Sequence, residues 1–139
     1  MNIYFSGSIR GGSSHHEWYD FIIQELQKHG EVLSDFVKNE SIAKYGYGKN
    51  SYTDEEYYSR DIKNIKEKVD ILIADITVPS FGVGYEIAYA QNLNKKVVCI
   101  YHKVDDKKMS AMLAGNPDIK IFPYKNKEEL VDVINNIFN

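Results

Sequence analysis

The sequence predicts a three-layer α/β sandwich, doubly wound around a five-stranded parallel sheet of the flavodoxin- or Rossmann-like kind. Two observations carry that prediction. Strand-like and helix-like segments alternate along all 139 residues, the pattern of parallel strands joined by right-handed crossovers. The stretch VDILIAD at 69–75 is a continuous apolar run, as expected of a strand covered on both faces.

The elements follow in order. Residues 1–6 form a short apolar strand, and 14–29 carry helical spacing through Trp18, Phe21, Ile22, Glu25 and Leu26, with Gly30 ending the helix. Residues 31–34 make a second strand. After a polar loop containing Tyr and Gly, a helix starts near Thr53, which is spaced from Glu56 as in a capping box. The third strand is 69–75, followed by a helix over 84–94, strands over 95–101 and 119–122, and a closing helix over 127–138. No linker-like stretch, repeat or low-complexity tract divides the chain, so residues 1–139 are expected to form one domain.

Composition narrows the function classes. Hydrophobic content of 43% and charged content of 27% are ordinary for a soluble globular protein. Seventeen basic against twenty acidic residues give a net charge of −3, which argues against a nucleic-acid binder. The longest apolar runs have strand length, so no membrane span is expected, and a strand at the N-terminus leaves no room for a signal peptide. The single cysteine, Cys99, excludes an internal disulfide and fits a reducing cytoplasm; within the apolar stretch 97–101 it reads as a core thiol. His15 and His16 are adjacent and so point in different directions, and neither an HExxH motif nor a cysteine pair is present. No metal is expected there.

In a sheet of this kind, function lies at the carboxyl ends of the strands. Two segments leave those ends. YFSGSIRGG, residues 4–12, places Gly7, Gly11 and Gly12 where backbone N–H groups can approach an anion, with Ser6, Ser8 and Arg10 as further donors. Its spacing is neither a P-loop nor a dinucleotide-binding turn. The second segment, residues 75–86, has Ser80, Gly82 and Gly84 as a small-residue turn feeding a helix, with Glu86 expected in its first turn. There the helix dipole would favour the ionised carboxylate. Read alone, the first loop could be a tight connection and Glu86 a carboxylate serving its helix N-terminus.

IYFSGSIRGG, PSFGVGYEIAYA and MSAMLAG, in that order and rough spacing, resemble the 2′-deoxynucleoside 5′-phosphate N-hydrolases of the nucleoside 2-deoxyribosyltransferase superfamily. The resemblance runs from Ile3 to the final helix. It implies hydrolysis of the N-glycosidic bond of a deoxynucleoside monophosphate to free base and 2-deoxyribose 5-phosphate, without metal or redox cofactor. It implies Glu86 as the nucleophile of a covalent glycosyl-enzyme, Asp61 as acid/base, and Tyr4 beside the sugar where a 2′-hydroxyl would need space. Ser8, Arg10, Gly11, Gly12 and Ser80 would hold the phosphate, and Ser110 would reach it from the neighbouring subunit of a homodimer. Ser6, Gly7, Ile9, Gly82 and Met112 complete the expected substrate-binding set. Asp75 stands where superfamily transferases carry an aspartate for the base, and residues 36–52 would shape the base pocket. The nearest rival is a true deoxyribosyltransferase, whose substrates lack the 5′-phosphate. A ribonucleoside-monophosphate N-glycosidase and a nucleotide sensor without turnover are the others.

Overall fold

Strands β1 (Asn2–Ser6), β2 (Glu31–Leu33), β3 (Ile71–Asp75), β4 (Lys96–His102) and β5 (Lys120–Tyr124) pair in parallel in the order β2-β1-β3-β4-β5. The computed structural model describes residues 1–9, 15–34, 52–104 and 108–139. This is the expected flavodoxin-like order. Ser6 pairs with Ala74 and Asp75 with Ile100, so β1 and β3 end side by side at one edge.

Helices α1 (His16–Gln27) and α5 (Lys127–Phe138) cover one face, and α2 (Asp54–Glu67) and α3 (Phe81–Asn92) the other. Strand alternation sorts the side chains. Ile3, Phe5, Ile71 and Ile73 pack with Tyr19, Ile22, Leu26, Leu130 and Ile134. Tyr4, Leu72 and Ala74 pack with Ile65, Val83, Ile87 and Ala90, together with the buried Cys99. Odd- and even-numbered residues of β1 therefore serve different layers, which decides what the loop after it can meet. No helix among the described residues is long and apolar enough to cross a membrane.

Local chemistry sets most boundaries. Thr53 Oγ1 accepts from Glu56 N at 3.1 Å, and Asn126 Oδ1 accepts from Glu129 N at 2.9 Å, capping α2 and α5. Two expectations are corrected and one short element is added. First, α3 begins at Phe81, not at residue 84, because Ser80 is its N-cap and accepts from Val83 N at 3.3 Å. Gly82 and Gly84 are thus helical; each costs about 1 kcal/mol relative to Ala, offset by burial of Val83, Ile87 and Ala90. Second, the MSAMLAG segment contains a short helix, α4 (Ala111–Ala114), capped by Ser110. Third, Gly30 does not close α1 through a left-handed turn. A Cβ there would lie 2.4 Å from Met1 O, the carbonyl that accepts from Glu31 N, so close approach of β1 is what requires glycine.

Candidate active site

Three side chains meet on the α2/α3 side of the sheet's carboxyl edge. Tyr4 comes from the middle of β1, Asp61 from α2 and Glu86 from α3. The Tyr4 hydroxyl lies close enough to both carboxyls to influence their protonation, and they its own. Arg60 holds Asp61 through Nη2 and Nε at 3.1 and 3.2 Å from Oδ1, and its guanidinium lies over the Tyr52 and Tyr57 rings at 5.3 and 5.0 Å. Ser6 Oγ and Glu86 Oε2 are buried with no hydrogen-bond partner among the described residues. Leaving such atoms unsatisfied costs about 1–3 kcal/mol each, and it fits a place where ligand atoms complete the bonding.

The start of α3 at Phe81 moves Glu86 into the second turn, so the helix dipole is not what governs it. Burial first, and the nearby Asp61 charge second, push the Glu86 carboxyl up to about 8. The Tyr4 hydroxyl, the nearby Ser6 hydroxyl (short of bonding geometry) and Arg60 pull the other way. Burial also raises Asp61, opposed by Arg60 and then Tyr4. Tyr4 is raised well above its ordinary value by burial and by the two carboxyls. Glu86 therefore keeps its proton near neutral pH, contrary to the expected ionised state. Because the Asp61 charge raises Glu86, Asp61→Asn should lower the pH at which Glu86 titrates. A carboxyl-resolved NMR titration measures this, and an unmoved titration would remove Asp61 from the pair.

The first loop turns to the opposite face. Ser8 is fully buried, and its N–H donates to the Tyr19 hydroxyl at 2.9 Å while its carbonyl accepts from His16 Nε2 at 2.7 Å. A Cβ on Gly7 would lie 2.8 Å from two Tyr19 ring carbons, so this glycine is required by the packed ring. Ile9 packs against the α1/α5 core. Arg10, Gly11 and Gly12 lie outside the described residues, as does all of the expected pocket loop 36–52 but Tyr52. Ser80 and the exposed Gly82 stand at the start of α3. Ser110, with Oγ accepting from Met112 N at 3.2 Å, and Met112, 82% exposed, sit on the connection after β4.

Asp75, which stands where superfamily transferases carry an aspartate for the base, is bonded within the protein. It is completely buried on the α1/α5 side, where Tyr124 O–H donates to Oδ2 at 2.8 Å and Thr77 N to Oδ1 at 2.9 Å. His15 Nε2 lies 2.7 Å from the Tyr124 oxygen and 3.4 Å from Oδ2. The Tyr124 proton is committed to Asp75, so His15 is the donor to Tyr124. The adjacent histidines do diverge, His15 to this cluster and His16 to Ser8.

Sequence reasoning missed Arg60, Tyr19, His16 and Tyr124. Arg60 directly precedes Asp61, but neighbours on a helix do not normally face each other. The partners of the other three are far along the chain, and no spacing rule finds them. A groove of about 330 Å³ lies at the opposite, amino edge of the sheet, lined by Lys95, Lys96, Lys120 and Asp118 among others. Exposed lysines without a buried acid make it a poor seat for acid/base chemistry.

The profile of the nucleoside 2-deoxyribosyltransferase family matches residues 3–121. The chain belongs to that family. Among family relatives, a 5-hydroxymethyl-dUMP N-hydrolase from Esox lucius is 38% identical over 135 residues, covering 96% of this chain and 92% of its own. A Methanosarcina mazei protein, provisionally named 2′-deoxynucleoside 5′-phosphate N-hydrolase 1, is 41% identical over 136 residues, covering 96% of this chain and 81% of its own. The solved Clostridium botulinum CMP N-glycosidase superposes with a TM-score of 0.66 at 18% identity, over 97% of this chain and 98% of that one. At that identity the likeness speaks for the fold. The family resemblance read from the three motifs is borne out.

Proposed function

We propose that this member of the family hydrolyses the N-glycosidic bond of 2′-deoxynucleoside 5′-monophosphates, giving free base and 2-deoxyribose 5-phosphate. The observation that carries the reading is the pair of carboxyls, Glu86 and Asp61, gathered around the Tyr4 hydroxyl at the sheet's carboxyl edge. The relatives' names supply the substrate class.

A retaining glycosidase needs one carboxylate to attack and one acid to protonate the leaving group. In the resting site the proton sits on Glu86, which is the wrong carboxyl. Tyr4 offers the correction: Glu86 gives its proton to the Tyr4 oxygen as Tyr4 gives its own to Asp61. Glu86 is then ionised and Asp61 protonated. Glu86 attacks the anomeric carbon as the C–N bond breaks, and Asp61 delivers its proton to the departing base. Water, deprotonated by Asp61, then displaces Glu86 from the sugar. Tyr4 would also fill the space a 2′-hydroxyl requires, favouring deoxyribose.

Ser8, Arg10, Gly11 and Gly12 would receive the 5′-phosphate, with Ser80 from the start of α3. The Arg10-bearing anion loop is the feature that favours hydrolase over transferase, whose substrates lack the 5′-phosphate. Exposed Ser110 and Met112 suit a phosphate contact made across a homodimer. In that arrangement the protein sediments as a dimer and Ser110→Ala raises KM about tenfold, one charge-assisted hydrogen bond's worth. A fully active monomer at assay concentration would refute the shared site. Buried Cys99 is compatible with work in a reducing cytoplasm.

The test is to incubate the protein with a panel of deoxy- and ribonucleoside monophosphates and identify any released base. Release from the deoxy series without transfer to an added second base supports the proposal. Release from ribonucleotides alone, or base exchange, overturns it in favour of the corresponding rival.

A further inference from the structure

We propose that Tyr19 and His16 are positioning residues for the substrate-binding loop, gripping the two peptide groups that flank the Ser8 Cα, one by its N–H and the other by its C=O, and so fixing how the loop meets the 5′-phosphate. The inference rests on the proposed phosphate site and adds to it two residues that do not touch substrate.

The geometry is specific. A peptide N–H just beyond a strand would ordinarily bond to backbone or be free for an anion. Here it is spent on a phenol oxygen at 2.9 Å, in a buried setting. The carbonyl of the same residue can only accept, so His16 Nε2 carries the hydrogen in the 2.7 Å contact and the imidazole's tautomer is set by the loop. With one group of each held, the Gly7–Ser8 and Ser8–Ile9 peptide planes are both fixed relative to α1. The Tyr19 ring closes the remaining freedom by lying against Gly7, and Phe5 meets it edge-on at 5.2 Å. Burial keeps the Tyr19 phenol above its ordinary pKa and therefore neutral throughout the working range.

The backing is itself anchored. His15, the residue before α1, bonds to Tyr124 on β5, and Tyr124 bonds to Asp75 at the end of β3. Asp75 also accepts from Thr77 N, three residues before the Ser80 cap. One buried cluster thus supports both loops that leave the carboxyl edge. The Ser8 amide is consequently not one of the phosphate's donors, and Ser8 would meet the phosphate only through its hydroxyl.

The test compares parent, Tyr19→Phe, His16→Leu and His16→Gln. It measures KM and kcat for a deoxynucleoside monophosphate and, by calorimetry, Kd for inorganic phosphate. Tyr19→Phe and His16→Leu should raise KM and the phosphate Kd about tenfold, the loss of one buried hydrogen bond, while kcat falls by far less. His16→Gln, which keeps an N–H donor of similar reach, should recover most of the His16→Leu loss. Folded variants with the parent's KM and phosphate Kd would overturn the inference. So would an equal fall in kcat with KM unmoved, or no difference between Leu and Gln at 16. If Tyr19→Phe does not fold, the His16 pair decides. A parent that binds phosphate but releases no base would sink the proposed activity alone, and the Kd comparison would still decide the positioning role. A parent that binds no phosphate would overturn both.

Discussion

Glu86→Gln should leave a folded protein whose base release is at least ~10³-fold below the parent's, because a lost covalent nucleophile adds about 4 kcal/mol or more to the barrier. The amide keeps the shape, so substrate should still bind. Activity within tenfold of the parent would end the nucleophile assignment. The same substitution has a second, opposite effect on stability. The Glu86 carboxyl is raised from 4.5 to about 8 in the folded protein. Its contribution to stability is therefore complete below about pH 4.5 and is lost as pH rises through about 8. Above that, the ionised buried carboxylate costs the fold on the order of several kcal/mol. Glutamine cannot ionise and escapes this cost. Glu86→Gln should melt above the parent at pH 9, with the gap narrowing toward pH 5. Melting curves at pH 5, 7 and 9 check the sign; a gap independent of pH would mean that Glu86 is not held protonated. In the parent, kcat/KM should fall as pH rises through about 8, because the free enzyme's carboxyl pair then loses the proton that the relay delivers to Asp61.

Removing the substrate's 5′-phosphate should have an effect of similar size. A phosphate monoester carries between one and two negative charges near neutral pH, and charge-assisted hydrogen bonds contribute about 1.5–3 kcal/mol each. Loss of two or three together lowers kcat/KM by on the order of a thousandfold or more. dGMP should be hydrolysed and deoxyguanosine essentially not, and Arg10→Ala should erase most of the difference. Base release measured for both substrates, with a labelled second base present, decides the matter. Equal rates, or label appearing in new nucleoside, would identify a transferase.

The fold was largely legible because its signals are local. An apolar run such as 69–75 has one sensible place in a doubly wound sheet, and Ser, Thr and Asn caps mark helix starts. The exception is instructive: Gly82 and Gly84 read as a turn because glycine is a poor helix former, yet Ser80 starts α3 ahead of them. That shift of one turn changes the physics of Glu86 from a dipole-stabilised anion to a buried acid. The motifs picked out Tyr4, Asp61 and Glu86, which meet in space. What stayed hidden depends on long-range packing. Asp75 alternates onto the face away from Glu86, and nothing local pairs it with Tyr124 or His15.

The bond from His15 to Tyr124 spans 109 residues. A growing polypeptide holds Tyr4, Asp61 and Glu86 well before β5 has been translated. Until that edge strand docks, His15 lacks its anchor and the segment behind Ser8 has no fixed seat. Full nucleotide affinity should therefore arrive only at the end of synthesis. A fragment clipped ahead of Tyr124 would carry every reacting group and still hold its substrate weakly.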